Sequence, residues 1–170
     1  MNHLASALII SVLLPLSGNP VFAAQRIAIL AFELNDITSL PNTPQEQVRT
    51  ASIQPLLEAA IKQVGDSYEI IPINSQNQAV ANGSFGNLFR FHDLAAKLGA
   101  QANADWIIVG QHSKPSFLFS YLRVHVINVK FQKLAASIDI ELKGNHETVT
   151  QHGVKLLTQK IKRVIANYEG

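Results

Sequence analysis

Imidazole is the side chain whose ordinary pKa lies nearest neutrality, so the six histidines of this chain are the first residues to weigh. His146, Glu147 and His152 fall close together. A two-histidine zinc helix needs a spacing of four, so that both rings share a face. Here the spacing is six, which turns the rings to opposing sides of an ideal helix. Glu147 reads more simply as helix-start polarity, favoured by the helix dipole. His112 and His125 lie on neighbouring predicted strands and can meet there. A strand-borne pair of this kind is more often a half-exposed surface feature.

Other catalytic patterns are missing from the sequence. There is no G-x-S-x-G elbow, no phosphate-cradling glycine loop and no zinc-protease pattern. Gly83, Gly86 and Gly99 lack the spacing of a dinucleotide fingerprint, and Asp36, Asp105 and Asp139 are scattered. The chain has no cysteine, which excludes thiolate-ligated zinc, iron–sulfur clusters, thiol catalysis and lipid anchoring through an N-terminal cysteine. No enzyme activity, cofactor or metal is expected. Lysine and arginine number 14 against 12 acidic residues, an excess too small for a nucleic-acid binder. With 47% apolar and 15% charged residues, the chain is neither disordered nor a coiled coil.

Two aromatic clusters remain. Phe85, Phe89, Arg90 and Phe91 precede a predicted helix, and Phe117, Phe119 and Tyr121 follow Lys114-Pro115-Ser116. Tyr121, Arg123 and His125 share one face of a predicted strand. If no helix covers that face, it is a groove for a partner or for an apolar ligand with a polar group. The plainer alternative is that the phenylalanines pack beneath the last helix.

The elements that must position these residues can be read from periodicity. Residues 26–34 (RIAILAFEL) suit a strand buried on both faces. Thr43, Pro44 and Glu46 form a helix start, with Glu46 placed to reach back as a capping-box carboxylate. Val48, Ile53, Leu56, Leu57, Ala60, Ile61 and Val64 carry that helix onward, and Pro55 is expected to kink it or split it near Ser52. Residues 68–73 (YEIIPI) make a second strand, at an edge or ending near Pro72. Residues 74–86 read as a mobile loop, with one helical turn near Gln78 to Ala81. Residues 92–102 form a helix, and 106–110 (WIIVG) a third buried strand. Residues 117–130 form a long strand with Leu118, Leu122, Val124 and Val126 on one face. A hairpin turn at Phe131-Gln132 leads to residues 134–143, which alternate as a half-exposed antiparallel strand. After Gly144, Asn145 is placed to cap a last helix running to Tyr168, with Val154, Leu157, Ile161, Val164 and Ile165 buried. The fold class is α/β (α+β): a single mixed sheet, order β-α-β-α-β-β-β-α, with helices packed on it.

The N-terminus reads as an address. Residues 4–16 form an uncharged apolar run of about 13 residues, against roughly 20 for a bilayer span. Val21-Phe22-Ala23 then suits signal peptidase. Residues 1–23 are expected to be a secretory signal peptide cut after Ala23, and 24–170 a single periplasmic domain without a transmembrane segment.

The stretch RIAILAFELND (26–36), followed by YEIIPI, ADWIIVG (104–110) and a hairpin, resembles a recurring group of bacterial envelope domains. The group includes the N-terminal domain of the Tol-system translocation protein, the curli secretion-channel lipoprotein and the penicillin-binding-protein activator lipoproteins. A closer resemblance is to a family of secreted bacterial proteins known only as a domain of unknown function. Gly110, Lys114, Ser116 and Leu118 match its G-x-x-x-K-x-S-x-L stretch. Gly144, Asn145, Glu147 and Gly153 match its G-N-x-[DE] segment and following helix glycine. Two departures stand out: the C-x-x-C pair of many relatives is absent, and their early helix tryptophan is missing near Thr150. A cysteine-dependent role therefore does not carry over. The resemblance implies periplasmic accessory proteins, some associated with quinoprotein alcohol-oxidation systems.

The functional expectation is a non-catalytic adaptor that binds a protein partner in the cell envelope. The alternative is a small-molecule carrier or sensor with a pocket near Phe89, Tyr121 and His125. The candidate binding residues are Lys114, Ser116, Tyr121, Arg123, His125, Phe89, Arg90, Asn145 and Glu147, with Lys114 the foremost.

Overall fold

The computed structural model describes residues 24–65, 67–143 and 146–168. The expected signal peptide, and the turn and cap expected at Gly144 and Asn145, lie outside them. Among the described residues the chain runs β1 (Gln25–Ile29), β2 (Glu33–Asp36), α1 (Pro44–Lys62), β3 (Tyr68–Ile71), α2 (Ser75–Asn82), α3 (Asn87–Arg90), α4 (His92–Gln101), β4 (Trp106–Lys114), β5 (Phe119–Asn128), β6 (Lys133–Lys143) and α5 (His146–Ala166). The strands form one mixed sheet, as the fold class anticipated; its order is β3-β1-β4-β5-β6, with β2 also paired to β4. No helix among the described residues is long and apolar enough to cross a membrane.

The first expected strand is two strands on one neighbour. β1 pairs in parallel with β4 from Ile27↔Trp106, and β2 resumes on the same strand from Glu33↔Gln111 to Asp36↔Lys114. Between them Phe32 turns its ring onto Gly110, where a β-carbon would overlap the ring. The break therefore seats an aromatic ring against the central strand, and it explains why position 110 is glycine. β3 is an edge strand that stops before Pro72, as expected. β4, β5 and β6 form the antiparallel meander. Gln132 takes a positive φ of 54° in the turn of its last hairpin.

Strand alternation divides the core into two layers. Ile27, Ile29, Trp106, Ile108, Leu122, Val124, Val126, Ile138, Ile140 and Leu142 face α1 and α5. Ala28, Leu30, Ile107, Val109 and Ile127 face α4 and the short helices before it. Helix α1 uses Ile53, Leu57 and Ile61, and α5 uses Val154, Leu157, Ile161 and Ile165. Helix α5 fits closely over β6, for a β-carbon at Gly153 would overlap Leu142.

Three local expectations need correction. Pro55 does not split α1, which is continuous from Pro44 to Lys62. Its ring lies on the exposed side, while Ile53, Leu57 and Ile61 hold both halves of the helix in the core. Residues 74–86 contain a helix, α2, capped by the Asn74 side chain accepting from Gln76 N at 2.7 Å. β5 starts at Phe119, so Leu118 lies in the preceding bend and is 83% exposed rather than facing the core.

Candidate functional site

Alternation along β4 sets Ile108, Gly110, His112 and Lys114 on one face, toward α1. At the strand's carboxyl end this face meets the first turns of α1. The N-cap of α1 is Thr43, which accepts from Glu46 N at 3.4 Å. Glu46 does not reach back as a capping box. Its side chain turns inward and accepts from Lys114 Nζ at 2.7 Å, with both groups buried. Lys114 is thus only 7% exposed, and its place in the sequence has a structural explanation that a turn residue would lack. Arg49 lies 3.5 Å from the other Glu46 oxygen and donates to Thr150 Oγ1 of α5 at 2.9 Å. The ion cluster therefore ties the sheet to both helices of this layer.

Beneath the ions sits His112, fully buried. Thr50 donates its hydroxyl proton to Glu46 O at 2.7 Å, so its oxygen accepts from His112 Nδ1 at 2.8 Å. His112 Nε2 then accepts from Ser120 Oγ at 3.0 Å. Burial, followed by the charge of Arg49, pushes the imidazole pKa down to about 4, against the opposing pull of Glu46. Burial pushes the Glu46 carboxyl up, but the hydrogen bond and charge of Lys114, then Arg49, more than offset it and leave it below its ordinary value. Asp36, opposite Lys114 in register, accepts from Thr38 N, Thr38 Oγ1 and Asn42 N. Burial pushes the Asp36 carboxyl up, and these bonds outweigh it and hold it low.

Ser120 and His112 make the nucleophile–base contact that acyl-transfer enzymes use, but the remaining parts do not follow. The far ring nitrogen meets the Thr50 hydroxyl rather than a carboxylate. An imidazole held near pKa 4 is a weak base at neutral pH.

Over this cluster opens a cleft of about 240 Å³ lined by Arg49, Lys114, Ser116, Phe117, Leu118, Phe119, Ser120 and Leu142. Its outer rim is the bend after β4. Ser116 Oγ accepts from Leu118 N at 3.2 Å and shapes the bend. Phe117 is 56% exposed, and its ring centre lies 5.8 Å from Lys114 Nζ.

The other sequence-derived candidates separate. His125 points to the opposite face from His112, since they are 13 positions apart on antiparallel strands and His125 registers with Val109. The two histidines do not meet. Instead the His125 ring stacks on Phe89 at 3.9 Å between centres, and its Nδ1 lies 3.0 Å from Phe89 O and 3.1 Å from His92 Nε2. Burial and the neighbouring His92 lower its pKa. Arg90 is exposed and donates to Gly86 O and Phe85 O at 3.4 Å. Tyr121 and Arg123 lie on the outer face of β5, which among the described residues no helix covers beyond His125. Their neighbours are on β6: Tyr121 Oη donates to Glu141 at 3.4 Å, and Arg123 Nε lies 3.5 Å from Asp139. Glu147 is exposed in the first turn of α5, and Asn145 lies outside the described residues. Among the described residues no three histidine or acidic side chains gather as a metal site.

Glu46, Arg49, Thr50, His112, Ser120 and Thr150 were not singled out together by sequence reasoning. A signal was available. Glu46 and Thr50 precede Ile53, Leu57 and Ile61 at helical spacing, and Ser120 alternates in phase with Leu122 and Val124. Polar residues continuing an apolar stripe mark a buried polar cluster.

A single mixed sheet with two helices on one face, and a charged cluster capping the end of its central strands, defines the class of this domain. The family DUF3280, described as "Protein of unknown function (DUF2380)", matches residues 25–161, and the chain belongs to it. No curated protein matches the chain. Among solved structures it is similar to the PelC dodecamer from Paraburkholderia phytofirmans, with a TM-score of 0.53 and 10% identity over 87% of this chain and 92% of that one. It is also similar to the LpoB C-terminal domain from Salmonella enterica, with a TM-score of 0.44 and 14% identity over 76% and 90% of the two chains. TolB from Acinetobacter baumannii shares 15% identity at a TM-score of 0.49, over 86% of this chain but 29% of TolB. At 10% identity the PelC likeness speaks to the fold alone, and the family matches the resemblance read from the sequence.

Proposed function

We propose that the protein is a non-catalytic periplasmic accessory protein, an adaptor that binds a protein partner in the cell envelope. The observation that carries this reading is the open outer face of β5 and β6. Phe119 and Tyr121 are only half-buried there and Arg123 is exposed, and the bend with Phe117 and Leu118 bare adjoins it. Phe119 and Tyr121 stand beside Arg123, Asp139, Glu141 and Lys143, and such a mixed aromatic and charged strip suits a partner surface. The carrier reading has less support, because the Phe89 ring stacks directly on His125 where a ligand was expected. The weak basicity of His112 and the internal pairing of Glu46 with Lys114 favour binding over catalysis. The secretory leader read in residues 1–23 supports the periplasm, and the quinoprotein alcohol-oxidation systems suggested by resemblance are where a partner is to be sought.

A photo-crosslinking residue placed at Tyr121 in the native host tests the reading. The expected result is a discrete adduct with one envelope protein, absent when the same residue replaces exposed Gln159 on α5. No adduct from Tyr121, or equal labelling from both positions, overturns it.

A further inference from the structure

The cleft over the ion cluster has a recognisable chemical preference. Its wall carries two cations, Arg49 and Lys114, and no carboxylate. Glu46 and Asp36, which balance the charge of the region, sit behind the wall and do not line the cleft. A group entering from solvent therefore reaches the cations before the carboxylates behind them.

Lys114 sharpens this picture. An ammonium has three N–H donors. Among the described residues the Lys114 Nζ makes one hydrogen bond, to Glu46 Oε1, although its side chain is only 9% exposed. A buried ammonium with donors to spare favours an acceptor, above all an ionised one. Ser116 adds a hydroxyl whose oxygen already accepts from Leu118 N, so its own proton is left to donate. Around these donors the rim is apolar: Phe117, Phe119 and Leu118, with Leu118 83% exposed. A free small anion filling about 240 Å³ would leave those side chains bare. A carboxylate carried on a chain with apolar neighbours would cover them.

Building on the adaptor reading, we infer that this cleft receives an acidic side chain of the protein partner, flanked by apolar residues that pack on Phe117 and Leu118. The carboxylate accepts from Lys114 Nζ and Ser116 Oγ beside the Arg49 guanidinium. The site thus acts as a one-residue specificity pocket at the end of the open β5–β6 face.

The test uses isotope-labelled protein, purified as its host produces it, and three probes: N-acetyl-Leu-Glu-Leu-amide, the same peptide with Gln for Glu, and sodium acetate. The Glu peptide is expected to shift the amide signals of Ser116, Phe117 and Ser120 saturably. It should bind at least about tenfold more tightly than the Gln peptide, a difference set by one charge-assisted contact. Added salt should weaken it. Ser116→Asp, a rim substitution that leaves the buried ions in place, should abolish the shifts while the remaining spectrum stays unchanged. Equal binding of the Glu and Gln peptides overturns the inference. So does acetate matching the Glu peptide, which would make this a small-anion site. The adaptor reading is judged separately: a Tyr121 adduct that forms while all three probes fail leaves the adaptor standing and removes the carboxylate pocket.

Discussion

Lys114 and Arg123 are both cations on adjacent strands of one sheet, and each faces a carboxylate. Their surroundings are opposite. Lys114 points inward beneath α1 and α5, 2.7 Å from Glu46, and its side chain is 9% exposed. Arg123 points outward, 3.5 Å from Asp139, and its side chain is 46% exposed. What decides between the two is strand parity and what packs above each face. The inner ion pair is packed beneath two helices as part of the fold, and only the cleft beside Phe117 reaches Lys114. The outer one lies in water and is available to a partner. Removing each cation should therefore give very different results.

The largest effect belongs to Lys114→Met. It leaves Glu46 buried with its closest cation gone, which costs about 3–5 kcal/mol. Stabilities of ordinary domains are about 5–15 kcal/mol, so the urea midpoint should fall steeply. Pairing the change with Glu46→Gln removes the stranded charge and should restore part of the loss. A Lys114→Met protein as stable as the parent would break the contrast between the two faces.

His112 gives the next effect, through pH. Its folded pKa of about 4 lies below the ordinary 6.5, so the unfolded chain binds the proton more readily. The stabilisation is complete above pH 6.5 and is lost as pH falls toward 4, amounting to about 3 kcal/mol. His125, also lowered by burial and by His92, works in the same direction. Denaturant melts across this window should show stability falling with acid. His112→Gln keeps hydrogen-bonding capacity but cannot titrate, so its curve should be distinctly flatter than the parent's. An unchanged slope would mean that the buried imidazole contributes nothing to acid sensitivity.

Much of the frame was legible because it rests on periodicity. The two-residue alternation of 134–143 and the apolar stripe of α5 needed no tertiary information. The split of the first strand was not legible, because RIAILAFEL is apolar throughout and the cause is a ring-on-glycine contact with Gly110, far along the chain. Lys114 stood out as hard to explain in a turn, and its burial against Glu46 was not legible. Its partner Glu46 stands at a position where local rules favour a capping box, and the long-range ion pair won over the local cap. The separation of His112 from His125 was not legible. Register on antiparallel strands fixes which face each ring takes, but the register depends on where the bend at 115–118 ends.

The smallest stability effect, and the most informative, is at Arg123. Exposed ion pairs contribute about 0–1 kcal/mol, so Arg123→Glu, which faces Asp139 with a like charge, should lower stability by no more than about 1 kcal/mol. Salt should shrink that difference further. The same substitution sits in the middle of the open face, beside Tyr121. If that face meets a partner, its charges matter to association far more than to folding. The crosslink from Tyr121 should then drop several-fold in a protein whose melting temperature has barely moved. A large loss of stability would show that the outer pair is built into the fold like the inner one. A silent fold with an undiminished crosslink would place the partner's charge contacts elsewhere on the sheet.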